Sequence, residues 1–212
     1  MKTALFLDFD GTLVDSISAL HSAYLQFLRE FNIEGSTAEF QEFNGPPLPI
    51  VVAELKKRYD LREPELELFD RYLEIIDTSD TQLQLAPGAG SLLTAAQTLG
   101  IELAIVTSSP VNRVSKWLDR HQLESMFQCV IGADSTEFGK PHADPYLLAL
   151  QKLNVTPDQA ITVEDSAKGA AASLAAEITT ILLGSHPDTL EHALLIPMKS
   201  LDDVTWYLQL GA

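Results

Sequence analysis

The chain has 212 residues, of which 46% are hydrophobic and 21% are charged, a composition typical of a folded globular protein rather than a disordered one. Its 30 acidic and 14 basic residues give a formal net charge of −16, so we expect neither nucleic acid nor a membrane surface as a partner. The single cysteine excludes an intrachain disulfide, and no segment has the pattern of a signal peptide or a membrane span, which together predict a cytoplasmic protein.

Five short runs of almost continuous apolar residues predict buried strands, and they lie at 3–8, 101–107, 129–133, 160–164 and 179–183. Runs of this kind are typical of a parallel sheet that is covered by helices on both faces. From residue 85 onward, the strands alternate with segments whose apolar residues recur at helical spacing. The alternation predicts an α/β fold in which a doubly wound parallel sheet forms a Rossmann-like core.

The segment at 15–84 interrupts this alternation because it contains no convincing strand. Its apolar residues recur at helical spacing over 17–31, 48–59 and 66–76. This much helix is too long for a simple crossover between two strands of one sheet. We therefore predict an inserted all-α cap at 15–84, and a core domain formed by 1–14 and 85–212.

The loop at 44–49 is expected to connect the first two helices of this cap. Gly45 frees the backbone there, while three prolines keep the loop stiff. A stiff loop beside a cleft can present side chains to a ligand, so Asn44 and Gly45 are candidate specificity residues, as is His21 in the first cap helix. The alternative is that the prolines only end one helix and start the next, and that His21 is a partly buried helix residue.

An acidic segment at 8–12 (DFDGT) directly follows the first predicted strand. In open parallel sheets, ligands bind at the carboxyl ends of the strands. Because Gly11 lets the chain turn there, the carboxylates of Asp8 and Asp10 can both face one cleft. In isolation, the same segment could also be a solvated acidic turn.

Polar side chains also accompany the other predicted strands. Thr107 and Ser108 stand at the end of one strand, Glu164 and Asp165 stand at the end of another, and Lys140 lies in a Gly-Lys-Pro turn between them. Carboxylate oxygens bind Mg²⁺, whereas lysine and hydroxyl groups bind phosphoryl oxygens. Together with the acidic segment, these residues predict a site for a divalent metal and a phosphate at one edge of the sheet.

In this order, the motifs resemble those of the haloacid dehalogenase-like hydrolase superfamily. The segment at 8–16 (DFDGTLVDS) is similar to the first motif, Thr107 ends the strand of the second, Lys140 fits the third, and 164–166 (EDS) fits the fourth. The segment at 139–146 (GKPHADPY) also resembles the phosphatase-like branch, in which a helical cap follows the first motif. The resemblance spans nearly the whole chain.

The resemblance implies a Mg²⁺-dependent phosphatase that hydrolyses a small phosphorylated metabolite, such as a phosphoglycolate-like compound or a sugar phosphate. Asp8 would be the nucleophile that forms an aspartyl-phosphate, and Asp10 would protonate the leaving oxygen and then activate water. Thr107, Ser108 and Lys140 would bind the phosphoryl group. The enzyme would be a monomer or a homodimer.

The same resemblance implies a set of metal ligands. Mg²⁺ would be bound by Asp8, by the backbone carbonyl of Asp10 and by Asp165, while Glu164 would act behind these ligands through water. Many relatives have glycine at the position of Glu177, so this residue leaves open the geometry of the loop after the fourth motif.

Three other interpretations use part of this pattern. A hexose-phosphate mutase shares the cap and the motifs, but such mutases carry a phosphate-binding arginine in the cap loop, and the loop at 44–49 (NGPPLP) has none. A dehalogenase needs neither Asp10 nor a metal. A phosphoacceptor switch, like a signalling receiver domain, has no helical cap and carries its phosphorylated aspartate on a later strand. The pattern therefore favours hydrolysis.

Overall fold

The computed structural model describes residues 2–43, 45–184 and 191–211. Within those ranges the chain forms six strands: β1 Ala4–Leu7, β2 Glu102–Val106, β3 Phe127–Ile131, β4 Ala160–Glu164, β5 Thr179–Leu183 and β6 Leu195–Met198. They pair in parallel in the order β3-β2-β1-β4-β5-β6. The strand order reverses between β1 and β4, so the topological switch point lies at the carboxyl end of β1.

The same ranges contain nine helices: α1 Ile17–Arg29, α2 Thr37–Phe43, α3 Leu48–Tyr59, α4 Glu65–Ser79, α5 Ala89–Thr98, α6 Val111–Arg120, α7 Asp144–Leu153, α8 Ala167–Ala175 and α9 Leu201–Gln209. The last five pack on the two faces of the sheet. None of the nine is long and apolar enough to cross a membrane. The predicted α/β fold with a doubly wound parallel sheet is confirmed.

Strand β1 shows why the predicted strands are continuous apolar runs. Leu5 and Leu7 belong to a buried cluster with residues of α5, α6 and α9, whereas Ala4 and Phe6 belong to a second cluster with residues of α7 and α8. Both faces of the strand are therefore covered, and each of its positions needs an apolar side chain. The first polar side chain, Asp8, comes only where the strand ends.

Strand β6 is not among the strands that the sequence predicts. It lies at an edge of the sheet, contains Pro197 and has no buried residue. A proline donates no hydrogen bond to a neighbouring strand, and a half-exposed edge strand needs no continuous apolar run. The sequence pattern also misplaces the start of the third strand, because β3 begins at Phe127 rather than at residue 129.

The loop after α8 has the backbone conformation for which glycine is best suited. Glu177 has a φ of +60°, in the left-handed region. Its N–H donates to the carbonyl oxygen of Leu174 at 2.9 Å, which closes the end of the helix. Glu177 therefore adopts the left-handed conformation that a glycine would adopt at this position, and the turn after α8 still forms.

Helices α1 to α4 lie between β1 and α5 and form the helical unit. Their apolar faces build a buried cluster of their own, which includes Tyr24, Phe27, Leu55 and Leu68. The helical spacing in the sequence does not reveal α2, because seven residues complete only two turns. The loop that contains Gly45 consequently connects the second helix to the third, which corrects the expectation that it connects the first two.

The two connections between the helical unit and the core run side by side. Val14, on the outgoing connection, forms an antiparallel bridge with Leu85 on the returning one. Next to this bridge, the N–H of Ala86 donates to the carbonyl oxygen of Leu13 at 2.9 Å. The helical unit thus joins the rest of the chain through a hydrogen-bonded pair of segments.

Candidate active site

Most of the site residues predicted from the sequence meet at the carboxyl edge of the sheet. Asp8 follows β1 and continues its pairing with β4, since its N–H donates to the carbonyl oxygen of Val163 at 3.0 Å. The residues line a cavity of about 840 Å³, a volume that includes its open mouth. The predicted residues in this lining are Asp8, Asp10, Gly45, Thr107, Ser108, Lys140 and Asp165.

A tight turn after β1 brings the two acids of the first motif to the cavity. Gly11 has a φ of +80°, and its N–H donates to the carbonyl oxygen of Val14 at 2.9 Å. A side chain at Gly11 would overlap the carboxylate of Asp165. Glycine is therefore required here both for the backbone conformation and for the close approach of the acids that follow β1 and β4.

Lys140 lies at the centre of a buried hydrogen-bond network. Its Nζ donates to Asp8 Oδ1 at 2.6 Å, to the carbonyl oxygen of Val106 at 2.7 Å and to the carboxylate of Glu164. Glu164 is fully buried and also accepts a hydrogen bond from the hydroxyl of Tyr146 at 2.5 Å. Three acceptors therefore fix the lysine, and the lysine in turn orients Asp8.

Two carboxylates near this lysine, those of Asp8 and Asp165, have raised pKa values. Burial raises the pKa of Asp8 well above its ordinary value; Lys140 opposes this shift, but the charges of Glu164 and Asp165 reinforce it. Burial, together with the charge of Glu164, also raises the pKa of Asp165 to about 7. Three carboxylates share one ammonium group, so the cluster carries an excess of negative charge.

This acidic cluster fits a divalent cation. One carboxylate oxygen from each of Asp8, Glu164 and Asp165 lies within 4.8 Å of the other two. Oxygen ligands are those that Mg²⁺ prefers, and a positive ion here would offset the excess negative charge. Asp8 and Asp165 line the cavity and are accessible from it, whereas Glu164 is already bound by Lys140 and Tyr146.

Asp10 has an environment unlike that of Asp8. Its carboxylate accepts hydrogen bonds from Arg113 Nη1 at 2.6 Å, from Arg113 Nη2 at 2.9 Å and from Ser109 Oγ at 2.7 Å. Burial alone would raise the pKa of Asp10, but the charge and hydrogen bonds of Arg113 outweigh burial and lower it. A lysine thus holds the first acid of the motif, and an arginine holds the second.

Arg113 lines the same cavity, and no motif in the sequence marks it as a site residue. It is buried in α6, and its guanidinium also binds Asp80 through Nε at 2.6 Å and through Nη2 at 2.9 Å. Asp80 begins a 3₁₀ turn directly after α4, so the arginine joins the first motif to the end of the helical unit. The burial of Arg113 and Asp80 could have been found from helical spacing, because residues four positions apart lie on the same face of a helix. Arg113 lies four residues before the buried Trp117, and Asp80 lies four residues after the buried Ile76.

The hydroxyl groups of Thr107 and Ser108 lie at the cavity, and neither has an acceptor among the described residues. Thr107 Oγ1 accepts a hydrogen bond from the N–H of Ser109 at 3.1 Å and donates to no acceptor in the described part of the chain. Ser108 Oγ is buried and has no hydrogen-bond partner among the same residues. Because a buried unpaired hydroxyl is costly, both groups are suited to bind the oxygens of a phosphoryl group.

The helical unit supplies the other side of the cavity. Within the described ranges, its lining residues are Leu20, Phe40, Phe43, Gly45, Pro46, Leu48, Val51, Tyr72, Leu73 and Ile76. His21 does not line the cavity, and its ring packs on that of Phe40 with 4.9 Å between the ring centroids. Gly45 has a φ of +109°, and Asn44 lies outside the described residues.

Comparison with known proteins places the chain in a family. A family model described as haloacid dehalogenase-like hydrolase matches residues 5–183. Pyrophosphatase PpaX of Oceanobacillus iheyensis is 26% identical, covering 89% of this chain and 91% of that protein. Hexitol phosphatase A of Escherichia coli is 30% identical, and the alignment covers 86% of this chain and 83% of that protein. The crystal structure of β-phosphoglucomutase from Clostridium difficile superposes with a TM-score of 0.86 at 19% identity, covering 99% and 96% of the two chains, and so shares the fold. The chain therefore belongs to the haloacid dehalogenase-like hydrolase family, in its branch of phosphatases and phosphomutases.

Proposed function

We propose that this enzyme is a Mg²⁺-dependent phosphatase, which hydrolyses a phosphate monoester of a small metabolite through an aspartyl-phosphate on Asp8. The observation that carries the proposal is the separate support of two acids at one cavity, where Lys140 binds Asp8 and Arg113 binds Asp10. A covalent mechanism needs one carboxylate as the nucleophile and a second one that exchanges protons. The similarity to a hexitol phosphatase supports the same chemistry.

In the first step, an oxygen of Asp8 bonds to phosphorus while the bond between phosphorus and the ester oxygen breaks. The ammonium of Lys140, 2.6 Å from Asp8 Oδ1, favours the ionised carboxylate that this attack requires. The hydroxyls of Thr107 and Ser108 donate hydrogen bonds to the phosphoryl oxygens, while the ammonium, whose three N–H groups are already bound, acts on these oxygens through its positive charge. Donors placed in this way stabilise the charge that develops in the transition state.

Asp10 gives its proton to the leaving oxygen, and in the second step it takes a proton from the water that attacks the aspartyl-phosphate. The second step leaves Asp10 protonated, which is the form that the next substrate needs. In the described arrangement, Arg113 favours the ionised form of Asp10, which is the form that acts as the base. Because Arg113 also binds Asp80, protonation of Asp10 is linked to the segment that follows α4.

The metal would be held by the carboxylates of Asp8 and Asp165 and by the backbone carbonyl of Asp10. When bound there, the cation would supply positive charge that shields the phosphoryl group from the acidic cluster and makes phosphorus easier to attack. Glu164 would contribute by fixing Lys140. The close carboxylate oxygens and their excess negative charge support this assignment.

The helical unit would act as a cap over the cavity. We place the cap at 15–84 and the core at 1–14 and 85–212, and we place the enzyme in the cytoplasm. A cover that excludes bulk water protects an aspartyl-phosphate from uncontrolled reaction. In this arrangement, Gly45 belongs to the part of the cap that meets the leaving group, which its position in the cavity lining supports. Asn44 lies outside the described residues, and its contact with the leaving group stays a prediction.

The alternative within the same branch is a phosphomutase. A mutase must hold a second phosphate group on the cap side, and a cation is the group that does this best. None of the described residues through which the helical unit lines the cavity is charged. The loop at 44–49 also has no arginine. Both observations support hydrolysis over phosphoryl transfer to a sugar.

The test is a screen of phosphate monoesters with Mg²⁺, in which released inorganic phosphate is measured. We expect turnover that stops in excess chelator and in Asp8→Asn. The screen includes glucose 1-phosphate with a hexose bisphosphate activator. Conversion of glucose 1-phosphate to glucose 6-phosphate faster than release of phosphate would favour the mutase. Release of phosphate from none of the esters would overturn the proposed function.

A further inference from the structure

The cavity has two chemically different halves. The core half carries the acids, the lysine and the hydroxyl groups that would receive a phosphoryl group. The opposite half is the apolar wall, which we define as Phe40, Phe43, Leu48, Val51, Leu73 and Ile76. These six residues come from α2, α3 and α4, so the wall belongs entirely to the helical unit.

The apolar wall offers a ligand almost no hydrogen bonds. Among the lining residues of the helical unit that the structure describes, the hydroxyl of Tyr72 is the only polar side-chain group. It makes no hydrogen bond within the described ranges, and burial raises its pKa, so it stays a neutral hydroxyl. From the described part of the helical unit, a ligand thus finds one hydroxyl and no charged side chain.

This lining selects against the substrates that the family resemblance implies. A sugar phosphate would bring several hydroxyl groups against the apolar wall, and each would lose its water without gaining a partner from the protein. The second anionic group of a phosphoglycolate-like compound would have a larger desolvation cost, because a desolvated charge needs a cation to pair with. The described residues of this half of the cavity thus match neither class of compound.

We propose that the leaving group of the substrate is an apolar alcohol, of alkyl or aryl type, with at most one hydroxyl that meets Tyr72. This inference rests on the proposed phosphatase function and narrows its substrate. The phosphate of such an ester fits the half of the cavity that contains Thr107, Ser108 and Lys140, and its carbon skeleton fits the apolar wall. Each methylene group that the wall buries should strengthen binding about fourfold.

The first experiment compares esters of primary alcohols, whose intrinsic reactivities are similar. With Mg²⁺, kcat/KM is measured for ethyl, butyl and hexyl phosphate, and for glucose 6-phosphate and phosphoglycolate. We expect kcat/KM to rise about fourfold per methylene along the alkyl series until the wall is filled, and to exceed the values for the two polar esters. A higher kcat/KM for glucose 6-phosphate or phosphoglycolate than for hexyl phosphate would overturn the proposal.

The second experiment uses Val51→Thr and Ile50→Thr as a matched pair, because these residues are neighbours in α3. Val51 belongs to the apolar wall, whereas Ile50 lies outside the cavity and is 60% exposed. Val51→Thr adds a hydroxyl with almost no change of shape. We expect it to lower the ratio of kcat/KM for hexyl phosphate to that for ethyl phosphate about tenfold, and we expect no change in Ile50→Thr.

The ratio separates selectivity from stability, because a loss of folded protein lowers the rates of both substrates equally. If Val51→Thr is unfolded, Leu73→Thr takes its place, since Leu73 is only half-buried in the same wall. A ratio that stays at the wild-type value in the folded wall variant would overturn the proposal.

The inference and the proposed function fail in different ways. If no ester of either class releases phosphate, the phosphatase function is overturned, and the inference fails with it. If the polar esters are hydrolysed better than the alkyl esters, the phosphatase function stands and only the apolar leaving group is overturned.

Discussion

Arg113 binds Asp80 through Nε at 2.6 Å and Nη2 at 2.9 Å, while Nη1 and the same Nη2 bind Asp10. One cation that is only 4% exposed therefore serves two carboxylates. Removing one member of a buried charged group leaves the others uncompensated, at a cost of about 3–5 kcal/mol. The arginine thus links Asp10, the proposed acid–base residue, to the point where the helical unit returns to the core.

We expect Arg113→Lys to lower kcat about tenfold to a hundredfold, because lysine keeps the charge but cannot bind Asp10 and Asp80 with a planar fork. The affinity for Mg²⁺ should change little, since the proposed metal ligands are untouched. Steady-state kinetics and a Mg²⁺ titration of thermal stability measure the two effects. Lys116→Arg, at a half-exposed position of the same helix, is the control. Equal losses in both variants would contradict a special role for Arg113.

Replacing Asp8 and replacing Asp10 should have different effects on turnover and on Mg²⁺ binding. We expect Asp8→Asn to abolish turnover, because an amide is a poor nucleophile. We expect Asp10→Asn to lower kcat about 10²–10⁴-fold and to keep Mg²⁺ binding, since only its backbone carbonyl is a proposed ligand. Activity assays and Mg²⁺ titrations on the folded variants check both. Turnover in Asp8→Asn, or lost Mg²⁺ affinity in Asp10→Asn, would show that the roles are assigned wrongly.

The raised pKa of Asp165 predicts how pH and Mg²⁺ together affect the stability of the fold. Its pKa is raised from 3.8 to about 7 in the folded chain, so between these values the folded state keeps a proton that the unfolded state has lost. Raising the pH through this window therefore lowers stability. Mg²⁺ bound to the ionised carboxylate offsets that loss, so we expect Mg²⁺ to raise Tm more above pH 7 than below it.

Thermal unfolding with and without Mg²⁺, on both sides of pH 7, measures this dependence. Asp165→Asn is the control, because it removes both the titrating group and a proposed ligand. An equal Mg²⁺-induced rise in Tm at every pH in the wild-type enzyme would be the contrary result.

The lowered pKa of Glu39, in the helical unit, predicts that stability depends on pH in the opposite direction. Burial alone would raise its pKa, but hydrogen bonds from Tyr24, Tyr59 and Arg58 lower it below the ordinary value of 4.5. The ionised carboxylate thus stabilises the fold above pH 4.5, and this contribution disappears as the pH falls through the lowered pKa. We expect Glu39→Gln to reduce the free energy of unfolding by about 1–3 kcal/mol at pH 7, and by progressively less below pH 4.5.

Urea unfolding of Glu39→Gln across this pH range measures the change. Glu42→Gln is the matched control, because Glu42 also binds Arg58, at 3.1 Å, but its side chain is 60% exposed. We expect the control to change stability only slightly at any pH. A deficit in Glu39→Gln that does not depend on pH would mean that the loss of an accepting oxygen, rather than the lost charge, destabilises the variant.

The strands inside the sheet could be predicted from the sequence because helices cover both of their faces. Strand β4 is buried at every position, and the run predicted at 160–164 coincides with it. Strand β6 could not be predicted, because it lies at the sheet edge with half-exposed side chains and a proline at Pro197. Helix α2 could not be predicted either, because its seven residues give too few apolar repeats.

The candidate site could be predicted where its residues follow strands, because parallel strands end at the same edge of the sheet. Asp8 and Asp165 reach one cavity in this way, and their catalytic roles stay predictions. The pairing of Arg113 with Asp80 could not be predicted, because residues 33 positions apart meet only once α4 and α6 are placed in space. The spacing between Arg113 and Trp117 indicates a buried arginine but does not name its partner.

The bridge between Val14 and Leu85 brings the two ends of the helical unit side by side. Because the chain leaves the core and returns to it at adjacent residues, a short turn could replace the four helices without changing the register of β1 and β2. Such a shortened chain would keep the lysine and the acids at the sheet edge but would lose the apolar wall. The site at the sheet edge would then be open to solvent and would accept phosphoryl groups without selectivity. The four helices would thus account for the enzyme's selectivity among phosphate esters.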